Sequence, residues 1–70
     1  MTAEELSIKL FEDDIPHYTY SIGSEEEQRL CLISENGAWL VFYNESGERM
    51  DITQHSSEAD ACADMLSRLE

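Results

Sequence analysis

Basic residues are what this sequence most lacks. Its 70 residues include 4 lysines and arginines against 16 aspartates and glutamates, a formal net charge of −12 with neutral histidines. Gripping phosphates needs clustered Lys or Arg, so the balance argues against nucleic acid and anionic membrane surfaces as partners. It suits a cationic partner, whose encounter it would speed. It equally suits a small protein that only has to stay soluble. Metal-ligand types are also scarce. Cys31, Cys62, His17 and His55 form no C-x-x-C or H-x-x-x-H spacing, so neither a zinc site nor any other metal or cofactor is expected. With no secretory signal, the two thiols read as small buried hydrophobes rather than a disulfide. There is no signal-peptide core, no Arg-rich transit segment and no apolar run long enough to span a bilayer, so a cytoplasmic location is expected. Gly23, Gly37 and Gly47 stand singly as turn residues, which excludes a glycine-rich phosphate loop. Repeats, linkers and low-complexity tails are absent too. A chain of this length makes one domain, 1–70, with little room for a deep active-site cavity.

What the sequence does have is concentrated in Arg29 to Tyr43, two apolar runs separated by Asn36-Gly37. Asn-Gly between strand-forming residues is a strong hairpin signal, because both turn residues must take positive φ. A two-residue turn fixes the register: Glu35 faces Ala38, Ile33 faces Leu40, Leu32 faces Val41, Cys31 faces Phe42 and Leu30 faces Tyr43. One face then carries Leu30, Leu32, Trp39, Val41 and Tyr43. The other carries Cys31, Ile33, Leu40 and Phe42. Both faces are apolar, and helices packed on one side would leave the other open.

Around the hairpin the elements follow from capping and periodicity. Thr2 is placed to cap a helix with Glu5 as its capping-box partner, and Leu6 and Leu10 make the apolar stripe. Pro16 requires this helix to end near Asp13. His17–Ile22 reads as a short first strand, and Glu25-Glu26-Glu27-Gln28 as a solvated acidic loop. Asn44–Glu48 is a second turn, with Gly47 at its left-handed position. Met50–Gln54 is a further strand. A three-residue loop would place Met50 and Ile52 with Leu40 and Phe42; a four-residue loop would place them with Val41 and Tyr43. Ser57 is placed to cap a final helix whose Ala59, Cys62, Met65, Leu66 and Leu69 recur at three and four. The expected fold is α+β: a small antiparallel meander of three to four strands, flanked by an N-terminal and a C-terminal helix packed on one face.

The ordered features are Ile15-Pro16, Tyr20-Ser21-Ile22-Gly23, Leu30-Cys31-Leu32 and Gly37-Ala38-Trp39-Leu40-Val41-Phe42-Tyr43. Glu45-Ser46-Gly47, Asp51-Ile52 and Ser57-Glu58-Ala59-Asp60-Ala61-Cys62 follow. Together they resemble the small acidic immunity-protein-like domains of bacterial polymorphic toxin systems, over nearly the whole chain. The motifs are mostly fold-determining. The resemblance implies that the Trp39, Val41, Tyr43 face is the core, which favours the four-residue loop. Leu40 stands where such relatives commonly carry a polar residue, and His55 where they tend to have an aromatic one.

Catalysis finds little footing. Ser56 and Ser57 adjoin His55, but adjacency in sequence is not triad geometry, and the serines are better explained as caps. The acidic runs lack the alternating ligands and sharp glycine of a calcium loop. The expectation is therefore a non-enzymatic binding module. The resemblance implies a cytosolic immunity protein that occludes the active site of a cognate protein toxin with a basic surface. Ile33, Leu40 and Phe42 would form an exposed apolar contact, and Glu25, Glu26, Glu27, Glu45, Glu48 and Asp51 its charged surroundings. Two alternatives stay open: an acidic nucleic-acid mimic that inhibits a nuclease, of the anti-restriction or anti-CRISPR type, and a homodimeric interaction domain.

Overall fold

The computed structural model describes residues 1–70. It has helix α1 (Ala3–Glu12), a 3-10 turn (His17–Thr19), strands β1 (Tyr20–Ile22), β2 (Arg29–Glu35), β3 (Ala38–Glu45) and β4 (Glu48–His55), and helix α2 (Glu58–Leu69). The strands form one sheet in the order β1-β2-β3-β4. This is the expected α+β arrangement with terminal helices, and most of the pairing is antiparallel.

The caps behave as their residue types require. The Thr2 hydroxyl accepts from the Glu5 backbone N–H at 3.1 Å, and a Glu5 carboxylate oxygen accepts from the Thr2 N–H at 2.8 Å. The Thr2 N–H, with the Thr2 hydroxyl beside it, holds the Glu5 carboxyl below its usual range. The helix closes on Asp13, and Asp14 takes the left-handed conformation (φ 58°) usually given to glycine. The Ile15 N–H returns to the Leu10 carbonyl at 3.1 Å and that of Asp14 to Phe11 at 3.2 Å, the Schellman pattern. Ser57 accepts from the Asp60 N–H at 3.1 Å to open α2. A Glu58 carboxylate accepts from the Ala3 N–H at 2.6 Å, joining the first turns of the two helices.

The hairpin register is the expected one, with Glu35 opposite Ala38, Cys31 opposite Phe42 and Leu30 opposite Tyr43. Asn36 and Gly37 have φ of 52° and 81°, the paired positive values of the two-residue turn.

Two expectations about the flanking strands are corrected. The residues read as a first strand divide: His17–Thr19 turn in a 3-10 helix, and only Tyr20–Ile22 extend. That short strand runs parallel to β2, so the sheet is mixed rather than a pure meander. The segment 23–28 makes the return by crossing back over the sheet. The second turn is tighter than either loop considered. Glu45 pairs with Glu48, leaving Ser46 and Gly47 as a two-residue turn with φ of 51° and 87°. Val41 then pairs with Thr53 and Tyr43 with Met50, so Phe42 alone faces both Asp51 and Ile52. This is a β-bulge, with Asp51 at φ 53°. Met50 therefore shares the Tyr43 side, while the extra residue turns Ile52 to the other.

Leu6, Leu10, Leu30, Leu32, Val41, Ala61, Cys62 and Met65 form the main core between the helices and one sheet face, with Trp39 packed against it. Both cysteines are buried and free.

Candidate interaction site

The second sheet face was expected to lie open. It is closed. Cys31 and Phe42 are fully buried and Leu40 is 7% exposed; with half-buried Ile33 they make a separate apolar cluster. Part of the cover is the returning segment 23–28. Ser21 faces this side, paired with Cys31, and its hydroxyl donates to the Ser24 carbonyl at 2.8 Å. The Cys31 thiol lies 3.4 Å from the Glu26 carbonyl. The far end of the segment is tied by the Gln28 N–H to the Asn44 carbonyl at 2.7 Å and by the Gln28 amide to Ser46 Oγ at 3.2 Å.

Arg49 covers Phe42. Its guanidinium carbon lies 4.8 Å from the Phe42 ring centroid, a cation–π contact. The same group donates to Glu25 at 2.8 and 3.1 Å and to Glu35 at 2.9 and 3.3 Å. Hydrogen bonds from Arg49, with its charge, hold both carboxyls below their usual range, and the two carboxylates push the guanidinium pKa up. One arginine thus ties the loop to the hairpin across an aromatic ring.

The apolar half of the expected contact, Ile33, Leu40 and Phe42, is therefore a second core rather than an exposed patch. The acids divide as well. Glu25 is committed to Arg49. Glu26 and Glu27 are exposed on the loop, and Glu26 accepts from Ser24 Oγ at 3.2 Å. Glu45 and Glu48 face each other beside the second turn, and Asp51 sits exposed at the bulge. Those last three border side chains that residue patterning did not single out. Tyr43 is 37% exposed although it was expected in the core, and Met50 and Ile52 are 42% and 49% exposed. No residue type announces the bulge that produces this, since its positive φ falls on an aspartate.

A polar cluster ties α2 to β4. Asp64 accepts from Thr53 Oγ1 at 2.5 Å, from His55 Nε2 at 2.8 Å and from Arg68 Nε at 3.0 Å. Arg68 Nη1 also donates to the Asp51 carbonyl at 3.0 Å, which fixes the bulge. Burial alone would push the Asp64 carboxyl up, but these three donors and the Arg68 charge bring it below its usual range. The hydroxyl and the imidazole both meet the carboxylate rather than each other. The arrangement therefore lacks the hydroxyl–imidazole hydrogen bond that activates a nucleophile.

No cleft opens on the surface, and no three His, Cys, Asp or Glu side chains converge as metal ligands would. No helix is long and apolar enough to cross a membrane. Comparison with family models, curated proteins and solved structures finds no match.

Proposed function

We propose that this chain is a binding module that captures a basic protein partner, and that the partner is a cognate bacterial toxin domain held inactive by occlusion of its active site in the cytoplasm. The carrying observation is how charge is distributed. Lys9, Arg49 and Arg68 are each spent on carboxylates of the chain itself, namely Asp13, Glu25, Glu35 and Asp64. Arg29 is the one Lys or Arg outside an ion pair, and the remaining acids have no cationic partner. Such a surface draws in a basic protein quickly and discriminates against acidic ones. The resemblance of the Tyr20–Gly23, Gly37–Tyr43 and Ser57–Cys62 stretches to immunity-protein-like domains supports the identity of that partner.

A rescue assay tests this reading. The C-terminal domain of the protein encoded by the neighbouring open reading frame is expressed in bacteria under tight control, with and without the chain. Death alone and survival with the chain is the expected result. Killing that continues in its presence would overturn the reading. The same acidity also supports mimicry of nucleic acid toward a nuclease. Capture of a nuclease from lysate at low salt, lost at high salt and indifferent to apolar substitutions, would favour mimicry instead.

A further inference from the structure

We propose that Asn36 is a site of spontaneous covalent modification, where the chain's own backbone converts the side-chain amide to aspartate and isoaspartate and so loosens the central hairpin with age. This goes beyond the binding reading and does not depend on it.

Three observations at the β2–β3 turn carry it. Asn36 and Gly37 are both exposed. The Asn36 side chain has no hydrogen-bond partner and the Gly37 N–H no acceptor, while Glu35 and Ala38 on either side pair with each other. A Cβ on Gly37 would meet no atom within 4 Å, so nothing screens the nitrogen that follows Asn36. The other asparagine lacks all three features. Asn44 is 3% exposed, its Oδ1 accepts from the Gly47 N–H at 3.0 Å, and Glu45, with a side chain of its own, follows it in the strand.

The turn also has a path to the reactive geometry. With φ of 52° and 81°, Asn36 and Gly37 sit as in a type I′ turn. Flipping the peptide between them gives the type II′ turn, whose first central residue has ψ of about −120°. That value eclipses Asn36 Cβ with the Gly37 nitrogen, as closure of a five-membered ring between them requires. Both turns close a two-residue hairpin, so Glu35 and Ala38 stay paired through the flip. Gly37 accepts the change in sign of its φ without strain.

In that geometry the Gly37 nitrogen gives its proton to hydroxide and bonds to Asn36 Cγ. The Cγ–Nδ2 bond breaks, and Nδ2 leaves as ammonia with a proton returned by water. A succinimide ring remains. Water then adds to one of its two carbonyls. Breaking the bond from the ring nitrogen to Cγ gives aspartate. Breaking the bond to the Asn36 main-chain carbonyl carbon gives isoaspartate, in which the backbone runs through Cβ and Cγ. Isoaspartate thus adds one carbon to the backbone of a turn whose two-residue length fixes seven strand pairs. It also sets a free carboxylate next to Glu35, the acid that Arg49 holds.

The test is ageing of the purified chain in warm, mildly alkaline buffer, with a portion held unfolded in urea. Peptide mass spectrometry follows the amide-to-acid change at each asparagine, and isoaspartyl methyltransferase with a labelled methyl donor counts isoaspartate. In the folded chain Asn36 should convert to a mixture of both acids while Asn44 keeps its amide. Asn36→Gly, which retains the turn, should take up no label at this peptide. The isoaspartate fraction, separated by ion exchange, should unfold at lower urea than the fresh chain. Freshly made Asn36→Asp, with the charge but not the extra backbone carbon, should unfold close to the wild type. An Asn36 amide that survives in the folded chain while it converts in urea would overturn the proposal, because the turn would then protect it. Equal conversion at Asn44 would overturn the assignment to this turn. An isoaspartate fraction as stable as the fresh chain, or an Asn36→Asp chain as weak as that fraction, would overturn loosening through the register.

Discussion

On one side of the sheet, Leu30, Leu32 and Val41 lie under two helices; on the other, Cys31 meets the loop 23–28 and Phe42 one arginine, with Leu40 clustered beside them. The first cover is apolar, with Leu6, Leu10, Cys62 and Met65 interdigitated against the strands. The second is polar. It excludes water with exposed glutamates, a serine-tied turn and a guanidinium stacked on a ring. Both give full burial at their centres, Val41 and Phe42. They differ in what holds them shut. The helical cover rests chiefly on burial, with the Asp64 cluster pinning α2 to β4 at its edge. The loop cover rests partly on ion pairs, which salt and acid weaken. A domain with too little chain for a third layer can still close both faces of an apolar sheet, at the cost of making one closure conditional.

The largest expected effect equates the faces. Phe42→Asp places a carboxylate in a sealed apolar cluster and should unfold the domain, a loss beyond about 4 kcal/mol, visible as a collapsed circular dichroism spectrum. Leu32→Ala on the helix side should cost about 2–5 kcal/mol in urea unfolding. A folded Phe42→Asp protein would break the equivalence and return that face to solvent.

Next comes the clamp between α2 and the bulge. Asp64→Asn leaves Arg68 and His55 short of their shared acceptor and should cost about 1–3 kcal/mol by the same measurement. Asp64 has its folded pKa depressed. Its contribution is therefore full above the ordinary aspartate range and is lost as pH falls through the lower folded value. The variant should lose the part of the acid-unfolding profile that lies there.

A smaller loss separates the faces. Arg49→Ala removes the cation over Phe42, worth about 1 kcal/mol. It also removes the cause of the depressed Glu25 and Glu35 carboxyls. Their contribution is present above the ordinary glutamate value of 4.5 and disappears as pH falls below it. The wild-type chain should thus lose stability in that window more steeply than Arg49→Ala, and salt should narrow the gap. Equal slopes in thermal melts across that range would remove the ion pairs from the closure. The smallest effect is a gain. Asp14→Gly relieves a left-handed aspartate and takes an acid from the negative end of α1, and should raise stability by about 0.5–1 kcal/mol.

Most of the fold was legible because its signals are local. Asn36-Gly37 sets the register of seven strand pairs, Thr2 and Ser57 open the helices, and Pro16 bounds the first. Three features were hidden because they depend on contacts distant in sequence or on backbone that residue types do not mark. β1 is parallel only because 23–28 crosses the sheet, and an acidic run reads as solvated loop whether or not it covers something. The bulge rests on Asp51 in a glycine-like conformation, and with it went the exposure of Met50 and Ile52. Arg49 finds Glu25 and Glu35 at sequence separations of 24 and 14, which no local pattern encodes. The apolar half of the candidate site was misplaced for the same reason, whereas Glu45, Glu48 and Asp51 keep their exposed positions.

One measurement tests the closure of both faces directly, because each core contains one thiol: Cys62 under the helices, Cys31 under the loop. Burial pushes both thiols up and away from the reactive thiolate. The native chain is treated with iodoacetamide at neutral pH, and labelling of each cysteine is followed by peptide mass spectrometry against the urea-unfolded chain. Both cysteines should be strongly protected, with Cys31 opening the more readily of the two and faster still in Arg49→Ala. Labelling of Cys31 at the unfolded rate while Cys62 stays protected would contradict the second core and put Leu40 and Phe42 back among the surfaces a partner can touch.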